Sequence, residues 1–272
     1  MLKQRIVTGT ILGSMAAWGI LTLPTVWFGV ALLLIILLGA WEWGGMLGLS
    51  GPIARMGYCA VILVMTVLVW PILENQSFIW LILAFAALYW CYVLAWLWRY
   101  TSAPQQRNPR LLWGAAGIMT LVTPWVALMY LHGAALFGPA YVLFLMMLIW
   151  LADSGAYFAG RRWGRRKLAP RISPGKTWEG AIGALVTTLL FAALGATTLG
   201  LTGIQWVLLI FIGVVAVLFS IVGDLFESMI KRQHEVKDSG SLLPGHGGVL
   251  DRIDSLTAAA PVFLLGVQGL LR

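Results

Sequence analysis

The chain has 272 residues, of which 60% are hydrophobic and only 10% are charged, and its mean hydropathy is +0.89. Globular chains carry roughly 25% charged residues, so a soluble fold of this composition would expose a large apolar surface to water. These values exclude an ordinary soluble enzyme, a disordered chain and a nucleic-acid-binding module, even though the net charge is +8.

Apolar stretches long enough to cross a bilayer recur along the whole chain, and they predict an all-α, polytopic membrane protein. Helices are required because unpaired backbone groups cannot face lipid. Glycine, proline and polar clusters separate the stretches. The nine expected spans are residues 5–21, 25–48, 55–73, 78–98, 111–132, 139–160, 178–200, 204–226 and 255–271.

The basic residues orient these spans. With a cytoplasmic amino terminus, nine crossings place every lysine and arginine except Arg272 on the inner side, as the positive-inside rule requires. We therefore expect a multi-pass protein of the cell (inner) membrane with its polar loops in the cytoplasm. The first apolar run follows Lys3 and Arg5 without a convincing cleavage site, so we expect it to be a retained helix.

Chemical signal is distributed unevenly along the chain. Residues 1–140 are expected to form a scaffold, and residues 141–272 a catalytic region with cytoplasmic loops at 161–177 and 227–254. Glu42, between two tryptophans, is the exception in the first segment. A structural role for Glu42, as an ion pair or an interhelical polar contact, and a functional role stay open with equal weight.

Acidic residues inside spans indicate function because a carboxylate at mid-bilayer costs about 2.5–3.5 kcal/mol. Asp224, Ser228 and Lys231 recur at the spacing of one helix face, with Glu227 beside them, if span eight continues to about residue 232. Two acids on adjacent turns favour a bound cation. A structural ion pair with a basic neighbour is the alternative interpretation.

The segment after span eight combines acids, cations and glycines in a chain that is otherwise poor in charge. Carboxylates that hold Mg²⁺, together with cations and backbone amides that hold phosphate oxygens, are typical of a metal–polyphosphate site. For the acids that begin span nine, ordinary helix capping is the alternative. The polar residues concerned are Lys231, Arg232, Lys237, Asp238, Gly247, Gly248, Asp251, Arg252 and Asp254.

A second polar segment begins with Asp153 and ends with Ser173-Pro174-Gly175-Lys176-Thr177. Its last three residues resemble the end of a Walker A loop, but Pro170 stands where that motif needs glycine, and we expect no strand before it. Lys176 nevertheless suits a phosphate contact, because a helix amino terminus that favours anions follows it. For the basic run 161–167, topology together with attraction to anionic headgroups is the structural interpretation, and it stays open with equal weight beside a functional role.

Three segments resemble the signature of the phosphatidate cytidylyltransferases, also called CDP-diacylglycerol synthases: Ser228-Met229-Ile230-Lys231-Arg232, Lys237-Asp238, and Leu243-Pro244-Gly245-His246-Gly247-Gly248-Val249-Leu250-Asp251-Arg252-Ile253-Asp254. The resemblance implies that CTP and phosphatidic acid react to give CDP-diacylglycerol and pyrophosphate. It also implies Mg²⁺, a monovalent cation such as K⁺, and a homodimer in contact with membrane lipids. The metals are implied to lie on Asp224 and Asp251.

These interpretations define the candidate site. Asp224, Asp251, Lys231 and Arg232 are the expected catalytic residues, and Asp224 and Asp251 the expected metal ligands. Contacts with substrate are expected from Lys176, Ser173, Ser228, Lys237, Asp238, His246, Gly247, Gly248, Arg252, Asp254 and Asp153. A secondary transporter and a non-catalytic membrane scaffold are the rival classes. The transporter is disfavoured because the polar residues gather at one membrane face rather than at the midplane.

Overall fold

The computed structural model describes residues 2–102, 110–135, 138–242 and 247–270, and most of them are helical. Each described α-helix coincides with one predicted span, which confirms the all-α polytopic fold. The nine helices are α1 (Leu2–Thr22), α2 (Thr25–Met46), α3 (Pro52–Val69), α4 (Gln76–Ser102), α5 (Arg110–His132), α6 (Gly138–Trp163), α7 (Trp178–Thr198), α8 (Gly203–Gln233) and α9 (Leu250–Val267).

Seven of the described helices, α2 to α8, are long and apolar enough to cross a membrane, with α3 continued by the 3₁₀ turn Trp70–Glu74. The apolar part of α1 is shorter, at Gly9–Thr22. Helix α9 has 18 residues and carries Asp251, Arg252 and Asp254 near its start. Length and composition therefore identify seven of the nine expected crossings, and the chain is a multi-pass membrane protein.

Helix α8 is longer than its predicted span and reaches Gln233. Its 31 residues extend about 46 Å, at 1.5 Å per residue, whereas the hydrocarbon core of a bilayer is about 30 Å thick. The extension keeps Asp224, Ser228 and Lys231 on one regular helix. The shared face predicted from their spacing is therefore present.

A short β-hairpin interrupts the helical pattern between α6 and α7. Strands β1 (Lys167–Ala169) and β2 (Ser173–Thr177) pair antiparallel, so the expectation that no strand precedes Lys176 was wrong. Ala169 and Ile172 are buried, and the Ile172 carbonyl accepts a hydrogen bond from Arg232 Nε at 3.3 Å. The hairpin is therefore in contact with α8, and the basic local sequence does not indicate this contact.

The two predicted segments of the chain share one core around Phe226 of α8. Its ring centroid lies within 6.3 Å of five aromatic rings from α2, α4 and α5, and α9 also packs against these three helices. The five rings belong to Trp43, Tyr89, Trp90, Trp96 and Trp113. Helices from the first 140 residues thus hold the carboxyl-terminal end of α8 in place, while their scaffold role stays a prediction.

Helices α6 and α7, which flank the hairpin, approach each other closely through glycines. A Cβ atom on Gly183 would overlap the Cβ atom of Ala159 and lie 2.7 Å from the carbonyl oxygen of Gly155. Small residues let helix backbones come this near in a membrane protein. The contact sets the distance between Asp153 on α6 and the start of α7.

We expect Gly183→Ala to destabilise the protein by about 1–3 kcal/mol, because the added methyl group forces α6 and α7 apart. Thermal unfolding in detergent measures this change. Gly57→Ala in α3 is the matched control, since a Cβ atom there meets nothing within 4 Å and gains the same helix propensity. Equal melting temperatures for the two variants would contradict the packing argument.

Candidate functional site

Polar side chains gather at one end of the helix bundle, where α2, α6 and α8 end and α5, α7 and α9 begin. Trp43 Nε1, near the end of α2, donates a hydrogen bond to the Trp113 carbonyl near the start of α5 at 3.0 Å. Arg232 at the end of α8 contacts the hairpin before α7. The alternating helix directions predicted from the basic residues therefore bring these termini together.

A cavity of about 470 Å³ opens at this end between α6, α7, α8 and strand β2. One part of its wall is charged and contains Asp153, Lys176 and Asp224. Small or aliphatic side chains also line the cavity, among them Ala152, Ala156, Ala181, Ala184, Val217 and Ile221. The cavity is amphipathic, and its volume falls in the range of about 300–1,000 Å³ that small-molecule sites occupy.

Lys176 and Asp224 form an ion pair in this cavity, with 2.5 Å between Nζ and Oδ2. Strand β2 places Lys176 just before Thr177, whose Oγ1 accepts the Gly180 N–H at 3.1 Å and caps α7. Ser228 Oγ donates to Asp224 Oδ1 at 3.3 Å. Asp224 therefore meets the predicted Ser228 on its own helix and the predicted Lys176 from the hairpin.

Lys231 lies between two carboxylates and joins α8 to α9. Its Nζ atom is 2.6 Å from Asp251 Oδ1 and 3.1 Å from Glu227 Oε1. The side chains are only 11%, 8% and 3% exposed for Lys231, Asp251 and Glu227. For Glu227 the structure thus shows the ion pair with a basic neighbour that was the alternative interpretation, while a bound cation near the adjacent acids of α8 stays a prediction.

The second oxygen of Asp251 binds the segment that precedes α9. Oδ2 accepts the N–H of Gly248 at 2.8 Å and the N–H of Ser239 at 3.1 Å. Gly247 has a φ of +79°, and a Cβ atom there would lie 2.7 Å from Asp251 Oδ2. The Gly248 N–H was predicted to donate a hydrogen bond to a ligand anion. In the structure it donates to the carboxylate of Asp251 instead.

Glu42 of α2 binds the same segment from the other side, and the structure shows a polar interhelical contact there. Its Oε1 atom accepts the Val249 N–H at 2.9 Å, and Oε2 accepts the Leu250 N–H at 2.8 Å and the Ser239 hydroxyl at 2.9 Å. Glu42 and Ser239 are separated by 197 positions in the chain. An acid in an apolar span was the signal, but its partners could not be named from the sequence.

The remaining predicted residues occupy different parts of this end. Asp153 interacts electrostatically with Asp224, Lys176 and Arg252. Asp254 interacts electrostatically with Asp224, Lys176 and Lys231. These two acids therefore belong to the same cluster of charged side chains as the ion pairs. Their contacts with substrate stay predictions.

Arg232 is directed to the hairpin, since its Nε atom binds the Ile172 carbonyl. Ser173 begins strand β2 and is half-buried, while Lys237 and Asp238 are exposed in the segment after α8. His246 lies outside the described residues. Glu179 was missed in the sequence: it accepts the backbone N–H groups of Arg165 and Arg166 and so orders the basic run.

The carboxylates can be tested against the metal that the resemblance implies. Among the described residues, no three His, Cys, Asp or Glu side chains form a metal-binding group. Mg²⁺ needs only one or two carboxylates when substrate phosphates and water complete its shell. Asp224, 29% exposed in the cavity, fits this role. Asp251 is enclosed by Lys231 and two amides, so its part in metal binding stays a prediction, as does K⁺.

We expect Lys231→Met to destabilise the protein by about 3–5 kcal/mol, because it leaves Glu227 and Asp251 as buried carboxylates without their cation. Thermal unfolding of the purified protein in detergent measures the loss. Lys237→Met removes an equal charge from an exposed position and should leave the melting temperature unchanged. If both variants melt together with the wild type, the buried ion pairs do not stabilise the fold.

The sequence profile of the Cytidylyltransferase family matches residues 3–269 of the chain. The phosphatidate cytidylyltransferase of Pseudomonas aeruginosa is 39% identical over 263 residues, which cover 97% of this chain and 96% of that protein. The phosphatidate cytidylyltransferase of Haemophilus influenzae is 36% identical over 283 residues, covering 97% of each chain. The similarity therefore includes the helices before and after residue 140.

Proposed function

Because the chain belongs to the cytidylyltransferase family, we propose that this enzyme transfers the CMP moiety of CTP to phosphatidic acid, giving CDP-diacylglycerol and pyrophosphate. The resemblance predicted from residues 228–254 is confirmed by the family match and by two relatives that align over nearly their whole length. Both relatives are named phosphatidate cytidylyltransferase, which supports these two substrates.

One observation carries the proposal in the structure: the cavity has an apolar wall beside the Lys176–Asp224 ion pair. A phospholipid has the same division, with a charged headgroup next to apolar acyl chains. Cavity-lining residues of α6, α7 and α8 lie at the helix ends where the polar segments begin. Phosphatidic acid would lay its acyl chains along the small side chains and would enter from the bilayer, and its phosphate would face the triphosphate of CTP, which Lys176 would bind.

The proposed reaction is an in-line displacement at the α-phosphorus of CTP. An oxygen of the lipid phosphate forms the new bond, and the bond from the α-phosphorus to the bridging oxygen of pyrophosphate breaks. A phosphate monoester is ionised near neutral pH, since its second pKa is about 6, so no strong base is needed. The obstacle is repulsion between anions and the charge that develops on the leaving group.

The residues of this chain would reduce that obstacle by placing positive charge around the phosphates. Lys176 lies in the cavity, where its ammonium group can leave Asp224 for a phosphate oxygen. Arg252 is exposed near Asp153, and Lys237 is exposed after α8. Asp224 and Asp251 would hold Mg²⁺, which when bound neutralises charge on the pyrophosphate, and K⁺ is proposed as a second cation.

We further propose that the site faces the cytoplasm from the inner membrane and that the enzyme is a homodimer. The described basic residues near the cavity, such as Arg161 and Lys176, support the orientation through the positive-inside rule. CTP is water-soluble and would reach the site from this side. The dimer rests on the family resemblance alone, and the mass of the purified protein in detergent tests it.

Incubating the purified enzyme with labelled CTP, phosphatidic acid and Mg²⁺ should yield a labelled lipid nucleotide. We expect Asp224→Asn to lower this activity by about 100-fold or more, because it removes a charge from the reacting centre, while the melting temperature and elution volume are retained. Full activity in a folded variant would remove the proposed role of Asp224. Ion flux in proteoliposomes without lipid nucleotide would favour the transporter alternative.

The two parts of the cavity wall should respond to different substrates. Ala181→Leu narrows the apolar part, so we expect its KM for phosphatidic acid to rise about tenfold, equivalent to about 1.4 kcal/mol, with little change in KM for CTP. Lys176→Ala should raise the KM for CTP and change the KM for phosphatidic acid little. Steady-state kinetics with each substrate varied in turn measures both, and identical patterns in the two variants would contradict the assignment of the wall.

A further inference from the structure

We propose that Glu42 of α2 is a positioning residue for this reaction, and the proposal rests on the proposed function. Its carboxylate holds the start of α9 and the segment before it, so that Asp251 stays against Lys231. Glu42 is only 6% exposed, and it lies in a helix that the sequence assigned to the scaffold. It contacts no reacting group, and its effect on the reaction passes through Ser239 and Asp251.

The first step of the argument is that Glu42 caps α9 from another helix. The first N–H groups of a helix have no acceptor within the helix, and Val249 and Leu250 donate theirs to the two oxygens of Glu42. A negative charge at this position is stabilised by the helix dipole. The carboxylate therefore fixes where α9 begins, one residue before Asp251.

The second step is that Ser239 connects Glu42 to Asp251. Its hydroxyl donates to Glu42 Oε2 at 2.9 Å, and its backbone N–H donates to Asp251 Oδ2 at 3.1 Å. If Glu42 loses its hold on Ser239, Asp251 also loses the position of one of its donors. Since Asp251 Oδ1 holds Lys231 at 2.6 Å, the disturbance reaches the buried ion pairs.

The third step concerns space around the Glu42 carboxylate. Cβ atoms on Gly240 and on Gly248 would both overlap its carboxylate oxygens. Both glycines are therefore needed for the chain to approach Glu42 this closely. The carboxylate of Glu42 lies against both glycines, which explains why neither position has a side chain.

The charge of Glu42 needs these contacts. No described lysine or arginine lies within ion-pair distance of it. Arg55 lines the neighbouring cavity with Glu42 but directs its Nε atom to the Leu49 carbonyl at 3.3 Å. A carboxylate in an apolar helix is costly unless donors satisfy it, and the described donors belong to Ser239, Val249 and Leu250.

Glu42→Gln tests the proposal, because the amide keeps the size of the side chain but faces at least one of the three donors with an N–H group. We expect kcat to fall about 10- to 100-fold through misplacement of the site, while KM for CTP and for phosphatidic acid changes little. Hydrogen exchange should become faster at Ser239 and in the first turn of α9 and stay unchanged in α6 and α7.

Glu74→Gln is the matched control, since Glu74 lies exposed at the opposite end of the bundle, and it should match the wild type in both measurements. A merely structural role would lower the melting temperature and leave kcat of the folded fraction unchanged. Unchanged kcat, or reduced kcat without faster exchange in the segment, would overturn the proposal.

Ser239→Ala keeps the test decisive if Glu42→Gln does not fold, because it removes only the hydroxyl that binds Glu42. We expect a smaller fall in kcat and faster exchange in the same segment, and normal values for both would overturn the proposal. If the wild type forms no lipid nucleotide, the proposed function fails. The exchange measurements then still show whether Glu42 holds the segment.

Discussion

The buried ammonium group of Lys231 between Glu227 and Asp251 is the interaction on which the arrangement of this end of the molecule depends. It joins the last turns of α8 to the first turn of α9 through side chains that are almost fully enclosed. Removing one partner from such a group leaves an uncompensated charge in a medium that solvates it poorly. Asp251 also binds the segment before α9, which Glu42 holds from the other side.

Helix α8 makes different contacts through Phe226 and through its polar face. Phe226 packs among aromatic rings of α2, α4 and α5, and Asp224 faces the cavity shared with α6 and α7. Lys231 contacts α9. Helices from the first 140 residues therefore pack against α8 and, through Glu42, accept hydrogen bonds from the charged segment. The division into a scaffold and a catalytic region stays a prediction, and the helices of the two segments pack against each other.

The charged cavity lies at the ends of the helices for a physical reason. The proposed reaction joins a water-soluble nucleotide to a membrane lipid, so it would need ionic groups for the phosphates and apolar surface for the acyl chains. Ionic groups are tolerated where helices end near the interface, and small side chains on α6 and α7 leave room beside them. The hairpin adds Lys176 to this place from outside the membrane-spanning helices, which lets a cation meet Asp224 without entering the bilayer on a helix.

The sequence by itself determined the membrane class, the approximate helices, the shared face of Asp224, Ser228 and Lys231, and the family resemblance, because hydropathy, helical spacing and motifs are local properties. Only the tertiary structure decided which cation meets which acid, that β1 and β2 form, and that Glu42 holds Val249 and Leu250. Those outcomes depend on contacts between distant parts of the chain, and a residue's type states what it can bind but not which partner the packing of helices brings to it.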